Sequence, residues 1–251
     1  ICSLGTPGYC DAVEFDDGKL MLTETSEAAE LDWKTLKDRI DPETLAEHLD
    51  GADVLGVGYW TVTTALPEIV AKIVEETWDL QESPPERVFF DPGDVNNLPE
   101  ETVRRGASRL ARTTETVPVT VSANRSETEG LVSVLNGSVA DSLYKNAERA
   151  LEGLGVDRFV AHSPSLSVTA SATETVSVRV PTVENPAMTT SAGDHFNAGY
   201  LLGRLAGLSS GATTVVANAL AVEFVRTGSP PDYEAVQSAV DSYLDWFDCT
   251  G

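Results

Sequence analysis

Thr189-Thr190-Ser191-Ala192-Gly193-Asp194-His195-Phe196-Asn197-Ala198-Gly199-Tyr200 places a small-residue turn, a single carboxylate and a helix start side by side. Ser191, Ala192 and Gly193 leave the backbone unobstructed. Beyond them Phe196, Tyr200, Gly203 and Gly207 recur at the spacing of one helix face. The turn therefore sits at a helix N-terminus, where amides lack partners and the macrodipole leaves roughly half a positive charge. Such a terminus suits an anion. Asp194, on its first turn, can cap the helix or act as a base towards whatever binds there.

Working outward, the chain alternates strand and helix. Asp53 to Gly58 is an apolar run bounded by glycine, as in a buried parallel strand. Helical spacing follows over Pro67 to Trp78, Pro99 to Leu110, Ser126 to Leu135 and Ala140 to Leu154, separated by strands at Arg87 to Asp91, Val117 to Val121 and Val156 to Ala161. Leu166 to Ala170 and Thr175 to Val180 read as an antiparallel ribbon. After the central turn come helices at Asp194 to Leu205, Ala212 to Thr227 and Tyr233 to Phe247, the last capped by Asp232. This pattern predicts an α/β fold, a three-layer sandwich whose mainly parallel sheet is covered by helices on both faces. Towards the N-terminus, Asp11 to Thr23 reads as a β-hairpin around Asp16-Asp17-Gly18-Lys19. A polar connection then leads to Asp41-Pro42, which start a short helix running to about Asp50.

In open α/β sheets ligands sit beyond the carboxyl ends of the strands. Asp91-Pro92-Gly93-Asp94, Asn124-Arg125-Ser126-Glu127 and Ser191 to Asp194 all follow strands. An amide nest, a carboxylate beside it and a second acidic pair are the parts needed for phosphoryl transfer. Read alone, Asp91-Pro92 is a strand-ending turn, and Glu127 beside Glu129 suits a solvated helix face as well as a metal site. Adjacent helical residues diverge, so no proton relay through His195 is expected. His48 and His162 read as ordinary polar residues. Gly199, Gly203 and Gly207 read as close helix packing.

Thr189 to Asp194 with Phe196-Asn197-Ala198-Gly199 resembles the C-terminal signature of the ribokinase-like (PfkB) carbohydrate kinases. Asn124-Arg125-Ser126-Glu127 is similar to that family's N-x-x-E motif. Ala217-Asn218-Ala219 and Val225-Arg226-Thr227-Gly228 resemble the helix end that borders its adenine pocket. The resemblance implies a kinase moving the γ-phosphate of ATP to a hydroxyl of a sugar or related small molecule. Asp194 would be the base, and the amides of Ser191, Ala192 and Gly193 the anion hole. Asn218, Gly228 and Thr190 would border the nucleotide, and Glu127 and Asn124 would hold Mg2+ through water. Residues 1–30 would form part of a β lid able to pair two copies as a homodimer, and residues 31–251 the nucleotide-binding and catalytic domain. Ser191 replaces the first glycine of the family's G-A-G-D turn, and its Cβ argues against a strained geometry there. Phe159 to Leu166 lacks the family's glycine-bearing strand end, and the family's G-G sugar motif has no counterpart from Ile1 on. The expectation is a chain that begins inside the lid. These departures motivate a second reading, a catalytically impaired homologue that binds nucleotide or sugar as a sensor.

Composition narrows the partners. The 251 residues carry 40 acidic against 17 basic side chains, a formal charge of -23, and only five of the basic residues are lysine. Broad nucleic-acid or anionic-membrane contact lacks the basic patches it needs. No apolar run reaches the roughly 18 residues of a membrane span. Cys2, Cys10 and Cys249 cannot all pair and form no C-x-x-C, so a reducing cytoplasm is expected. Acids spread along the whole chain, with little lysine, fit a halophilic proteome in which molar salt shortens the Debye length to about 3 Å and mutual repulsion fades. The melting temperature should therefore rise between dilute buffer and molar KCl; an unchanged value contradicts the halophilic reading.

Overall fold

A computed structural model describes residues 5–6, 8–15 and 18–248. Two strands, β1 (Tyr9–Phe15) and β2 (Gly18–Glu24), pair antiparallel with Phe15 opposite Gly18. The tip of the expected hairpin, Asp16-Asp17, lies outside the described residues, as do Cys2 and Cys249. Cys10 is exposed and unpaired.

The stretch expected to be a polar connection instead folds into a 3-10 turn (Ser26–Glu30) and a helix, α1 (Trp33–Arg39). The Asp32 carboxylate caps α1 by accepting the Thr35 N–H at 2.7 Å, while Trp33, Leu36 and the following Ile40 bury themselves. Two apolar residues three apart plus a capping Asp are enough signal for one short helix. Next comes α2 (Pro42–Leu49), capped by Asp41 as expected.

The main sheet holds β3 (Leu55–Val57), β4 (Val88–Phe90), β5 (Val119–Asn124), β6 (Arg158–His162), β7 (Leu166–Ser171) and β8 (Thr175–Arg179), in that spatial order. From β3 to β6 all pairings are parallel, and β7 and β8 return antiparallel. The strand expected at Val117 to Val121 runs on to Asn124, which becomes its last residue. Helices α3 (Leu66–Thr77), α4 (Glu100–Thr113), α5 (Arg125–Asn136) and α6 (Leu143–Leu154) supply the crossovers. Their apolar stripes pack with Val88, Phe90, Val119, Val121 and Phe159 in one core.

Because strand side chains alternate in direction, Phe89 and Val160 face the other way. There they meet Phe196, Tyr200 and Ala217 of α7 (Ala192–Leu205) and α8 (Ser210–Thr227). Helices on both faces thus give the expected three layers. The α7–α8 contact is very close: a Cβ added at Gly199 would come within 2.8 Å of Ala217 Cα, and one at Gly203 within 2.9 Å of Thr213 Cα. Gly207 does not share in this packing; it lies just beyond α7 at φ 70° with open space around it, and ends the helix in a left-handed turn.

The single helix expected from Tyr233 to Phe247 is divided into α9 (Tyr233–Asp241) and α10 (Asp245–Asp248). Between them Tyr243 buries its ring, and its hydroxyl donates to the Arg179 carbonyl at 2.7 Å, tying the break to the edge strand β8. Among the described residues no helix is long and apolar enough to cross a membrane.

Candidate functional site

Parallel strands end on the same side of a sheet, so whatever follows β3, β4 and β5 is gathered at one rim. Asp91 directly follows β4, Asn124 closes β5, and the turn before α7 lies against them. They line a cavity of about 660 Å³, within the range of small-molecule sites. Asp194, Ser191, Ala192, Gly193, Glu127, Asn124 and Asn218 all contribute to its wall. Thr190 and Gly228 do not. Gly228 ends α8 at φ 69° beside Ala187.

One side chain fixes the turn to the sheet. Asn197, one turn into α7, donates to the Asp91 carboxylate at 2.8 Å and accepts from the Ser122 hydroxyl at 2.6 Å. Asp91 also accepts the Gly93 N–H at 2.9 Å, so the strand-ending turn is present and the same carboxylate faces the cavity.

Ser191 adopts φ 70°, ψ 9°, the left-handed region, against the expectation that its Cβ would exclude a strained turn. The conformation costs a non-glycine residue about 1–2 kcal/mol. Its carbonyl is held twice, by the His195 N–H at 3.1 Å and by His195 Nδ1–H at 2.8 Å. The His195 ring stacks on Phe224 with centroids 3.7 Å apart, so it braces the turn. The Ala192 N–H is taken by the Thr189 carbonyl at 3.2 Å. Among the described residues the amides of Ser191, Gly193 and Asp194 have no acceptor, which leaves three donors at the positive end of α7.

A lid carboxylate reaches this turn from outside. Glu14 of β1 accepts from the backbone N–H and hydroxyl groups of both Thr189 and Thr190. The Thr190 hydroxyl, followed by the backbone donors, holds the Glu14 carboxyl down at about 2, so it is ionised throughout the physiological range.

Asn124 and Glu127 form a reciprocal cap: the Asn124 side chain accepts the Glu127 N–H at 3.0 Å, and Glu127 Oε2 accepts the Asn124 N–H at 2.7 Å. The N-x-x-E spacing is thus first a capping box. Burial pushes the Glu127 carboxyl up to about 7, with the charges of Asp91 and Asp94 adding to it. Burial likewise raises Asp91 to about 6, and Asp194 adds to it. Among the described residues three carboxylates, Asp91, Glu127 and Asp194, face the cavity against one cation in its wall, Arg125. Partly desolvated acids of this kind suit a divalent cation. Among the described residues no three His, Cys, Asp or Glu groups are spaced to ligate a metal directly, so the donor set suits a hydrated ion.

Tyr59 is the residue that the sequence reading missed. Its hydroxyl donates a short hydrogen bond to Asp194 Oδ1, and its ring rests on Gly93, where an added Cβ would approach Tyr59 Cβ at 3.1 Å. Burial, then the Asp194 hydrogen bond, raises its pKa, so it stays a phenol. The signal was present: Tyr59 lies just past the end of β3, at the same rim as Asp91 past the end of β4. His162, at the end of β6, stacks on Phe196 at 4.6 Å, and burial drops its pKa to about 4, leaving a neutral ring in the wall. Both amide atoms of Asn218 are engaged, by Ser167 at 2.7 Å and Tyr243 at 2.9 Å.

Comparisons with known proteins bear on the family and the fold. A family model described as prokaryotic ketohexokinase matches residues 1–243. A ketohexokinase of Haloferax volcanii is 42% identical over 246 residues, 98% of this chain; the chain spans 65% of that relative's length. Among solved structures, a ribokinase from Thermotoga maritima superposes with a TM-score of 0.67 at 20% identity, over 93% of this chain and 69% of that one. A putative ribokinase II from E. coli, in complex with ATP and Mg2+, gives 0.61 at 18% identity, over 92% and 70%. These likenesses establish a ribokinase-like fold. With the family match spanning nearly its whole length, the chain belongs to the prokaryotic ketohexokinase family.

Proposed function

We propose that this site transfers the γ-phosphate of ATP to a hydroxyl of a ketohexose, with Asp194 as the base. The observation that carries the reading is the hydroxyl already seated on Asp194. The Tyr59 phenol donates to Oδ1 next to three amides that have no acceptor among the described residues, a pairing an acceptor hydroxyl would reproduce. A hydroxyl so placed loses its proton to the carboxylate as it attacks, while the N–H groups of the Ser191 to Asp194 turn meet the charge spreading over the transferred group. The membership of a ketohexokinase family supports a ketohexose as the acceptor.

The nucleotide's base suits the cavity wall formed by Ala221, Val222, Val225 and Pro186. Asn218 anchors that wall through Ser167 and Tyr243. Thr190 serves the turn indirectly, held by Glu14, and Gly228 sets the end of α8 below the base. Bound Mg2+ would offset phosphate charge. Glu127 and Asn124, with Asp91, would hold its water shell, and their capping box keeps the donors in place. The acid surface and the Haloferax volcanii relative support a halophilic protein that works in the cytoplasm. A homodimer through the lid is supported by Phe15, Leu20 and Leu22, which expose about half or more of their surface on β1 and β2. Sedimentation of the full-length protein should give a dimer that Leu22→Glu splits; a monomer at tens of micromolar would remove the lid interface.

Asp194→Asn should fold normally and lose about 10²- to 10⁴-fold in kcat, whereas Tyr59→Phe, which leaves the base intact, should stay within about tenfold. Equal turnover for Asp194→Asn and the unsubstituted protein would refute the assignment. Nucleotide and sugar binding without phosphate transfer to any ketohexose would favour the sensor reading.

A second expectation concerns pH. The native Glu127 carboxyl titrates near 7 and its unfolded counterpart near the ordinary 4.5. Between these values the native chain holds a proton that the unfolded chain releases, so this group's contribution makes stability fall as pH rises. Glu127→Gln, which keeps an N3 side chain able to cap, should flatten that fall in denaturation midpoints measured across this window without Mg2+. An unchanged pH slope would show that Glu127 is not the buried acid.

A further inference from the structure

A second cavity lies at the opposite rim of the sheet. It has a volume of about 180 Å³ and is lined by Arg87, Arg158, Arg204 and Tyr200, with Glu86 and Asp157. Arg158 opens β6, the strand whose other end carries His162, so this site and the catalytic cavity are separated by the length of a strand. Arg204 lies ten residues after Asp194 on α7, about 15 Å along the helix axis.

This protein has 17 basic side chains against 40 acidic ones, yet three arginines converge here. The acids nearby are largely committed. Glu86 pairs with Arg87 at 3.0 Å, the Asp157 carboxylate accepts the Val119 N–H at 2.8 Å, and Glu174 accepts from Ser210, which itself accepts from Arg158 at 3.0 Å. Arg204 has no hydrogen bond or ion pair among the described residues. Burial, and then the repulsion of Arg158, lowers its pKa. The negative end of α7 favours one cation at this place, but does not account for three.

A separate observation points the same way. The Tyr200 hydroxyl is fully buried beside Thr169 and Arg158, yet among the described residues it makes no well-formed hydrogen bond. A buried donor left unpaired costs about 1–3 kcal/mol, and this one lies beside Arg158 and Arg204. A small tetrahedral dianion would answer both deficits. The volume is well below the roughly 300 Å³ at which pockets for organic ligands begin, so the room is that of an ion.

We propose that this cavity is an anion site for inorganic phosphate, bound by Arg158 and Arg204 with Arg87 at its mouth and the Tyr200 hydroxyl as an added donor. Charge-assisted bonds from planar guanidinium groups fit phosphate oxygens in pairs. The site does not depend on the kinase reading, since none of its residues touches the catalytic cavity.

The test is phosphate titration of the full-length protein, at KCl concentrations adjusted to constant ionic strength, read by melting temperature and by calorimetry. Phosphate should stabilise the unsubstituted protein in a saturable way. Arg204→Gln should weaken the affinity by about tenfold or more. Tyr200→Phe should weaken it several-fold, yet leave the melting temperature without phosphate nearly equal or higher, because the hydroxyl it removes makes no well-formed hydrogen bond. No saturable shift in the unsubstituted protein would overturn the proposal. So would a shift that survives Arg204→Gln undiminished, which would place the ion at the α7 N-terminus instead, or an affinity unaffected by Tyr200→Phe.

Discussion

The two hydrogen bonds of Asn197 position the rest of the site. Its amide joins α7 to Asp91 after β4 and to Ser122 on β5, so one side chain sets where the helix N-terminus stands relative to two strand ends. Such bonds contribute only about 1 kcal/mol each to stability, but leaving the buried partners unpaired costs more. Gly199 and Gly203 add the second constraint, since their missing side chains let α7 lie against the backbone of α8. With both in place, the free amides and Asp194 point over the rim, and the left-handed Ser191 is the local cost of turning the chain there.

The charge arrangement follows a consistent logic. A cavity lined with Asp91, Glu127 and Asp194 repels a polyphosphate unless a cation comes with it, and burial makes two of these acids harder to ionise. Glu14 takes the opposite role. Its ionised carboxylate is spent on the Thr189 and Thr190 donors, so the lid is fastened to the very turn that would receive phosphate. At the other rim the sign reverses, and three arginines stand together in an otherwise acidic protein. One helix, α7, runs from the first site to the second.

Much of this was legible in the sequence because its signals are local. The alternation of apolar runs with helical spacing is enough for the layered sheet, and the small residues before Asp194 mark the helix start. The Leu166 and Thr175 ribbon and the Asp41 and Asp232 caps needed only neighbours to be read. What escaped depends on tertiary placement. Tyr59 gains its role only because β3 ends next to Asp194, and Asn197 only because Ser122 and Asp91 flank it. Helix α1 was hidden in a polar stretch whose few apolar residues found a core. Ser191 was judged by its intrinsic preference, which the His195 bonds to its carbonyl and the surrounding packing override. The three arginines are far apart in sequence, and only the fold brings them to one rim.

The central claim is geometric, so its most direct test is a crystal structure of the full-length protein with a non-hydrolysable ATP analogue, Mg2+ and a ketohexose. The account predicts one sugar hydroxyl in place of the Tyr59 phenol on Asp194, with the terminal phosphate over the amides of the Ser191 to Asp194 turn. A sugar bound with every hydroxyl out of reach of Asp194, or a terminal phosphate away from that turn, would contradict it.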